Sequence, residues 1–131
     1  MEVISVIEAL QFSYRHSHWA TISDYLSHKL YEELYNHVTA DLDETAELLF
    51  RMFPKDSFPS EKDHMSMTYF YLTDLETYEK LENGLIEKCM ELKSRRNSGS
   101  AFDVAIHNRL DSLIERSIHR KALLGIEEKL S

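Results

Sequence analysis

The scarcity of glycine and proline is the feature that most constrains the fold of this chain. Only three glycines and two prolines occur in 131 residues, so long segments contain no residue that interrupts a helix or favours a tight turn. Apolar residues recur every three or four positions, the period of an amphipathic α-helix. The sequence therefore predicts an all-α protein, and its length fits a single domain over residues 1–131.

The apolar spacing predicts four long helices, over residues 2–20, 24–52, 74–96 and 101–129. Ser23 is expected to cap the second helix, and Pro54 to stop it. A short helix is expected over about residues 60–72. Two tightly joined helices, a longer connection and two more tightly joined helices are typical of a ferritin-like four-helix bundle with one long crossover.

Two apolar stripes locate the expected core. The stripe of the first helix ends at His18, where a ligand entering the bundle core should lie; the alternative is a core histidine hydrogen-bonded to a carbonyl. The expected core stripe of the second helix is Leu26, Leu30, Leu34, Val38, Leu42, Ala46, Leu49 and Phe53.

A second, polar stripe follows the same helix and suggests a metal site. His28, Glu32, Asp43 and Glu47 are separated by four, eleven and four residues, which places them at roughly 0°, 40°, 60° and 100° around an α-helix. Imidazole and carboxylate groups on a shared side are the ligands expected for a divalent metal such as iron, manganese or zinc.

The length of this stripe requires two copies of the chain. His28 and Asp43 are about 22 Å apart along a helix, so one ion cannot reach both within one chain. If two copies pack antiparallel about a two-fold axis near His37 and Val38, the first two ligands of one chain face the last two of the other. An isologous dimer produces such a site twice. The sequence therefore predicts at least a dimer with a shared metal site.

The same residues resemble the signature of the Dps family, the miniferritins named for DNA protection in starved cells. The matching segments are His18-Trp19, His28-Lys-Leu-Tyr-Glu-Glu-Leu-Tyr35 and Asp43-Glu-Thr-Ala-Glu47. The resemblance covers residues 10–50 and is only pattern-level elsewhere. The connection between the two histidines is shorter than in the family, and Leu48 stands where the family commonly has Arg.

The resemblance implies a function for each ligand. His18 and His28 would bind iron from one chain, Asp43 and Glu47 would bind from the other, and Glu32 would complete a second, weaker site. The implied activity is ferroxidation, the oxidation of Fe(II) to Fe(III) by hydrogen peroxide or dioxygen, for iron storage or protection from oxidative stress. In the family, six such dimers form a hollow dodecamer.

Two other interpretations remain open at this stage. The shortened connection between the histidines favours a catalytically inactive ferritin-like bundle that serves as a structural or interaction module. A within-chain di-metal oxidoreductase is disfavoured, because such sites use a Glu-x-x-His motif on each of two helices and the chain has only one, at Glu61–His64. Two further polar pairs, His107 with Asp111 and Glu115 with His119, are expected to be solvated helix pairs. Trp19, Tyr31 and Tyr35 are expected to pack, with oxidation beside the iron as the alternative.

The charge balance argues against nucleic-acid binding. The net charge is −8, which disfavours contact with a polyanion, and the basic clusters at Arg95–Arg96 and Arg116–Lys121 have acidic neighbours. No apolar run is long enough to span a membrane. The acidic Glu2 does not fit a signal peptide, and the single Cys89 is expected to be a buried small hydrophobe. These features together predict a cytosolic protein.

Overall fold

A computed structural model of the chain describes residues 2–53 and 75–126. Within those residues the structure is helical and contains no strand; the helices are α1 (Glu2–Ala20), α2 (Tyr25–Met52), α3 (Leu75–Arg95) and α4 (Ala101–Leu123). None of these helices combines the length and the apolar character that crossing a membrane requires. The short helix predicted over residues 60–72 lies outside the described residues.

The helix packing has the order of a bundle with one crossover. α1 packs on α2 and α3, and α4 packs on α3 and α2. Glu2 at the start of α1 pairs with Lys88 late in α3, so these two helices are antiparallel. Arg96, just after α3, stacks on Phe53, just after α2, at 4.6 Å, so α2 and α3 run in the same direction. The predicted all-α four-helix bundle is confirmed.

The N-terminus of α2 differs from the expectation by one residue. Asp24, rather than Ser23, is the N-cap. The Asp24 carboxylate accepts hydrogen bonds from the backbone N–H of Ser27 (3.4 Å) and from its hydroxyl (2.9 Å). A carboxylate satisfies two donors here and also carries a negative charge favoured at a helix N-terminus.

The C-terminus of α4 comes earlier than predicted. The helix ends at Leu123 rather than at residue 129, because Gly125 adopts a left-handed conformation with φ 78°. The N–H of Ile126 then donates to the carbonyl of Lys121 (2.8 Å), and this Schellman arrangement closes the helix.

The core lies between all four helices and largely follows the predicted stripes. Leu34, Val38 and Leu49 of α2 are fully buried, and most of the remaining stripe packs against them. The exception is Leu26, which is 79% exposed, because the first turn of α2 lies at the end of the bundle. Cys89 is buried as predicted, and burial raises the pKa of its thiol to about 12.

Candidate metal centre

The turn between α1 and α2 brings together His18, His28 and Glu32, here called the histidine cluster. One ligand atom from each side chain lies within 4.8 Å of the others, and all three residues are half-buried. Within residues 2–53 and 75–126 this is the one group of three His, Cys, Asp or Glu side chains spaced to hold a metal ion. The structure thus unites three of the five predicted ligands within one chain.

Local hydrogen bonds fix both imidazole rings. The Nδ1 of His28 donates to the carbonyl of His18 (2.6 Å), and the Nδ1 of His18 donates to the carbonyl of His28 (3.3 Å). The rings stack with centroids 4.0 Å apart. Because a carbonyl can only accept, each Nδ1 carries a proton, and in the neutral form of each ring Nε2 then keeps a lone pair. Metal-binding histidines are commonly oriented in this way.

The donor set of the histidine cluster suits a divalent transition metal. Two imidazoles and one carboxylate with open positions are the ligands of many non-haem Fe(II) sites. Two atoms bonded to one ion lie at most about 4.2 Å apart, so a small side-chain rotation closes the site. Among the described residues, the ion pair of Glu32 is a 3.5 Å contact with Lys29 between two exposed side chains, and such pairs contribute little stability. The carboxylate is therefore available to an ion.

The remaining predicted ligands, Asp43 and Glu47, are exposed farther along α2 and are not part of the histidine cluster. They stay on the same side of the helix as His28 and Glu32. The two-fold axis was predicted to pass near His37 and Val38. These residues define only the position of the axis along α2, because Val38 is buried in the core and His37 contacts α4.

One of the other polar pairs noted in the sequence, His107 with Asp111, has local partners. The Nε2 of His107 donates to the carbonyl of Lys93 at 3.1 Å and to that of Arg96, so this histidine satisfies the end of α3. Asp111 forms an ion pair with Lys93. Both residues of this pair therefore make structural contacts at the C-terminal end of α3.

The aromatic residues near the histidine cluster differ in exposure. Tyr31 packs against Tyr78, with ring centroids 5.9 Å apart, and burial raises its pKa. Tyr35 is partly buried against the core. Trp19 is 56% exposed, and the guanidinium of Arg15 lies 5.0 Å from its ring.

A second ionisable group lies at the centre of the bundle and was not predicted. It consists of Asp41, Glu82 and Arg120, here called the central network, and all three side chains are fully buried. Arg120 binds Glu82 through two hydrogen bonds, Nε to Oε2 (2.7 Å) and Nη2 to Oε1 (2.8 Å). Its third arm, Nη1, donates to Asp41.

Neighbouring polar groups satisfy the rest of the central network. The Tyr14 hydroxyl donates to Glu82 at 2.7 Å, and the Ser117 hydroxyl donates to the same carboxylate at 2.9 Å. Burial, reinforced by Glu82, raises the pKa of Tyr14. Arg116 pairs with Asp41, while Arg120 donates to Nδ1 of His37 at 3.0 Å. Each charge is therefore matched within the chain.

The pKa of His37 responds to this position. Burial lowers it from 6.5 to about 4, and the charges of Arg116 and Arg120 act in the same direction. His37 is consequently neutral near neutral pH. Because Arg120 can only donate, Nδ1 of His37 carries the lone pair.

The signal for the central network was present in the sequence as charged residues in apolar register. Asp41 follows Leu34 by seven residues and Val38 by three, and Arg120 follows Leu113 by seven. These spacings return each residue to the buried side of its helix. Charged side chains are almost never fully buried unless paired, and the pairing could not be derived before the helices were packed.

No family model matches this chain, and no curated protein or solved structure shows significant similarity to it. The resemblance to the Dps family therefore depends on the motif in residues 10–50.

Proposed function

We propose that this protein is an iron-binding miniferritin that oxidises Fe(II) to Fe(III) at a metal site shared across a two-fold dimer interface, in iron storage or protection from oxidative stress. The observation that carries the proposal is the histidine cluster, in which both imidazoles are held by backbone carbonyls and a carboxylate lies within reach. This is a ligand set suited to ferrous iron.

Fe(II) is the substrate of the proposed reaction. His18 and His28 would bind it through Nε2 as neutral imidazoles, which requires both rings to be deprotonated. The oxidant, hydrogen peroxide or dioxygen, accepts the electron. Carboxylates from Glu32 and, across the interface, from Asp43 and Glu47 of the partner subunit would stabilise the higher charge of the ferric product.

The exposed side of α2 supports an antiparallel dimer. The register that sets His28 opposite Glu47 of the partner subunit also sets Tyr25 opposite Phe50 of the partner subunit. Tyr25 is 69% exposed and Phe50 is 52% exposed, and both lie on the same side of α2 as the ligands. Aromatic residues are enriched in interfaces, so the apolar and the ligand pairings agree on one register.

Mixing two inactive variants tests the shared site most sharply. His28→Ala and Asp43→Asn should each slow Fe(II) oxidation at least roughly tenfold, as loss of even outer-shell partners does. A mixed dimer has one site with both substitutions and one site with neither. Co-refolding the two variants should therefore restore about a quarter of the normal rate if subunits mix randomly.

The controls for this experiment lie beside the ligands. His16→Ala changes an exposed histidine of α1, and Glu33→Gln changes the exposed neighbour of Glu32; both should oxidise Fe(II) at the normal rate. If the mixed variants regain no activity although each forms dimers, the ligands do not come from two chains. If His28→Ala oxidises Fe(II) normally, the histidine cluster is not the site.

A second candidate function is a catalytically inactive interaction module. The observation that favours it is a group of exposed large side chains around the α1–α2 turn: Trp19, Ile22, Tyr25 and Leu26. A titration with Fe(II) distinguishes the two functions, because an interaction module would form oligomers without binding Fe(II).

The proposed assembly is at least a dimer, with a dodecamer as the larger state implied by the Dps resemblance. Nucleic-acid binding is not part of the proposal. Arg120 and Lys121 are buried and Arg116 pairs with Asp41, so the basic run Arg116–Lys121 does not form a continuous surface for phosphates.

A further inference from the structure

A cavity lies at the end of the bundle opposite to the histidine cluster. Its volume is about 310 Å³, and it is formed where α2 and α3 end and α4 begins. Met52 in its lining follows His28 by 24 residues, which is about 36 Å along α2. The volume is at the lower end of the range for ligand pockets, about 300–1,000 Å³. A ligand bound here would be small and would not contact the histidine cluster.

The walls of this cavity, here called the end cavity, combine apolar surface with positive charge. Phe53, Phe102 and Ile106 supply apolar surface, and Arg51 and Arg96 line the same space. Phe102 is 69% exposed, so a ligand that covers its ring removes apolar surface from water. Ligand pockets are typically built in this way, from apolar side chains and a few polar groups.

The end cavity carries an excess of positive charge. Asp103 is the one acidic residue in its lining, which also contains two arginines. The carboxylate of Asp103 accepts hydrogen bonds from the backbone N–H of Ser98 (2.8 Å) and from the Ser98 hydroxyl, and these bonds lower the pKa of Asp103. Within residues 2–53 and 75–126, neither Arg51 nor Arg96 forms an ion pair with a carboxylate. The excess charge therefore favours an anionic ligand.

The guanidinium of Arg96 is held in place while its hydrogen-bond donors stay available. It lies 4.6 Å from the centre of the Phe53 ring, and this cation–π contact does not use its N–H groups. A guanidinium matches a carboxylate, which it binds through two parallel hydrogen bonds. The end cavity also lies beside the first turn of α4, at Phe102 and Asp103, where the helix dipole favours negative charge. Both features favour a carboxylate ligand over a neutral one.

We propose that the end cavity binds a small organic acid, with its carboxylate at Arg51 and Arg96 and its apolar body against Phe53, Phe102 and Ile106. The volume of the cavity, together with one more positive than negative side chain in its lining, favours a monocarboxylate with a short alkyl chain or one ring. This site is separate from the proposed iron chemistry and does not depend on it.

Octanoate is the probe that tests the proposal, because it combines a carboxylate with an apolar chain. Isothermal titration calorimetry should detect octanoate binding to the unaltered protein at one site per chain. Octanol lacks the charge and acetate lacks the chain, so each should bind at least roughly tenfold more weakly, as expected for loss of a charged hydrogen bond or of several buried CH₂ groups. Octanol that binds as tightly as octanoate, or no octanoate binding at all, would overturn the proposal.

Substitutions in the lining locate the bound acid. Arg51→Gln and Arg96→Gln should each weaken octanoate binding at least roughly tenfold, because each removes a charged hydrogen-bond donor. Arg95→Gln is the matched control, since Arg95 is exposed and is not part of the lining, and it should leave octanoate binding unchanged. His28→Ala should also bind octanoate normally, which separates this site from the histidine cluster.

A purely structural role for the two arginines gives a different result. Both lie at the C-terminal ends of helices, where a positive charge is favourable without any ligand, so their loss alone can lower the melting temperature. Because both side chains are exposed, the variants are expected to fold. Octanoate should raise the melting temperature of the unaltered protein and raise it less in Arg51→Gln and in Arg96→Gln. Equal increases in all three proteins, or equal octanoate affinities, would contradict the proposed site.

Discussion

The central network and the histidine cluster contain the same kinds of side chain but differ in how their charges are matched. In the central network, Glu82 is fully buried and receives hydrogen bonds from Arg120, Tyr14 and Ser117. In the histidine cluster, Glu32 is half-exposed and forms an ion pair with Lys29 across 3.5 Å. The first group is complete within the chain, whereas the second has open ligand positions.

This difference separates structural from binding roles. A buried charge is tolerated only when it is paired and hydrogen-bonded, so the central network has its partners in the folded chain and leaves no position for a ligand. The histidine cluster lies where solvent can hydrogen-bond to its polar atoms. Backbone carbonyls orient its two rings through Nδ1, and these hydrogen bonds do not use Nε2. We therefore propose metal binding at the end of the bundle rather than at its centre.

The largest expected effect appears when the same glutamate-to-glutamine substitution is made in each of the two regions and the stabilities are compared. Glu82→Gln leaves the central network with one unmatched positive charge and should lower the free energy of unfolding by about 3–5 kcal/mol. Glu32→Gln changes a half-exposed carboxylate and should alter stability by no more than about 0.5 kcal/mol. Urea denaturation followed by circular dichroism measures both values. Equal stability losses in the two variants would contradict the assigned division of roles.

An intermediate effect is expected at the proposed interface. Tyr25→Glu places a charge on an exposed side chain outside the core and should weaken dimerisation by roughly tenfold or more, since aromatic residues often contribute over about 1 kcal/mol to an interface. Sedimentation across a range of protein concentrations reports the change. Ile118→Glu, at an exposed position of α4, is the matched control. A stable 15.4 kDa monomer of the unaltered chain would remove the shared-site account.

A further effect concerns the pH dependence of stability. The pKa of His37 is lowered from 6.5 to about 4 in the folded chain, so between these values the unfolded chain binds more protons. The free energy of unfolding should therefore fall as pH decreases from about 7 to about 4, and His37→Asn should make this fall shallower. Urea midpoints at several pH values test it, with His16→Asn as the control. An unchanged pH profile would mean that His37 titrates alike in both states.

The sequence was sufficient to predict the helices but not the contacts among them. The scarcity of helix-breaking residues and the apolar period predicted the bundle, and the errors fell at helix ends. Asp24 rather than Ser23 caps α2, and Gly125 ends α4 before the apolar pattern of the sequence ends. Local capping chemistry decides such boundaries, and a periodic pattern does not contain it.

The candidate site could be predicted in part for a similar reason. His28 and Glu32 are one turn apart on α2, so spacing alone placed them together, and the motif added His18. The central network required Glu82 of α3 to meet Arg120 of α4, a contact that depends on how two helices pack. The pairing with Asp43 and Glu47 depends on a second chain and stays a prediction.

Anomalous scattering from an iron-soaked crystal tests the central claim most directly, because it locates iron and identifies which chains supply its ligands. The account predicts an iron peak bounded by His18, His28 and Glu32 of one subunit and by Asp43 and Glu47 of the partner subunit. A fully loaded crystal with no iron at the histidine cluster, or with iron held only by residues of one chain, would contradict it.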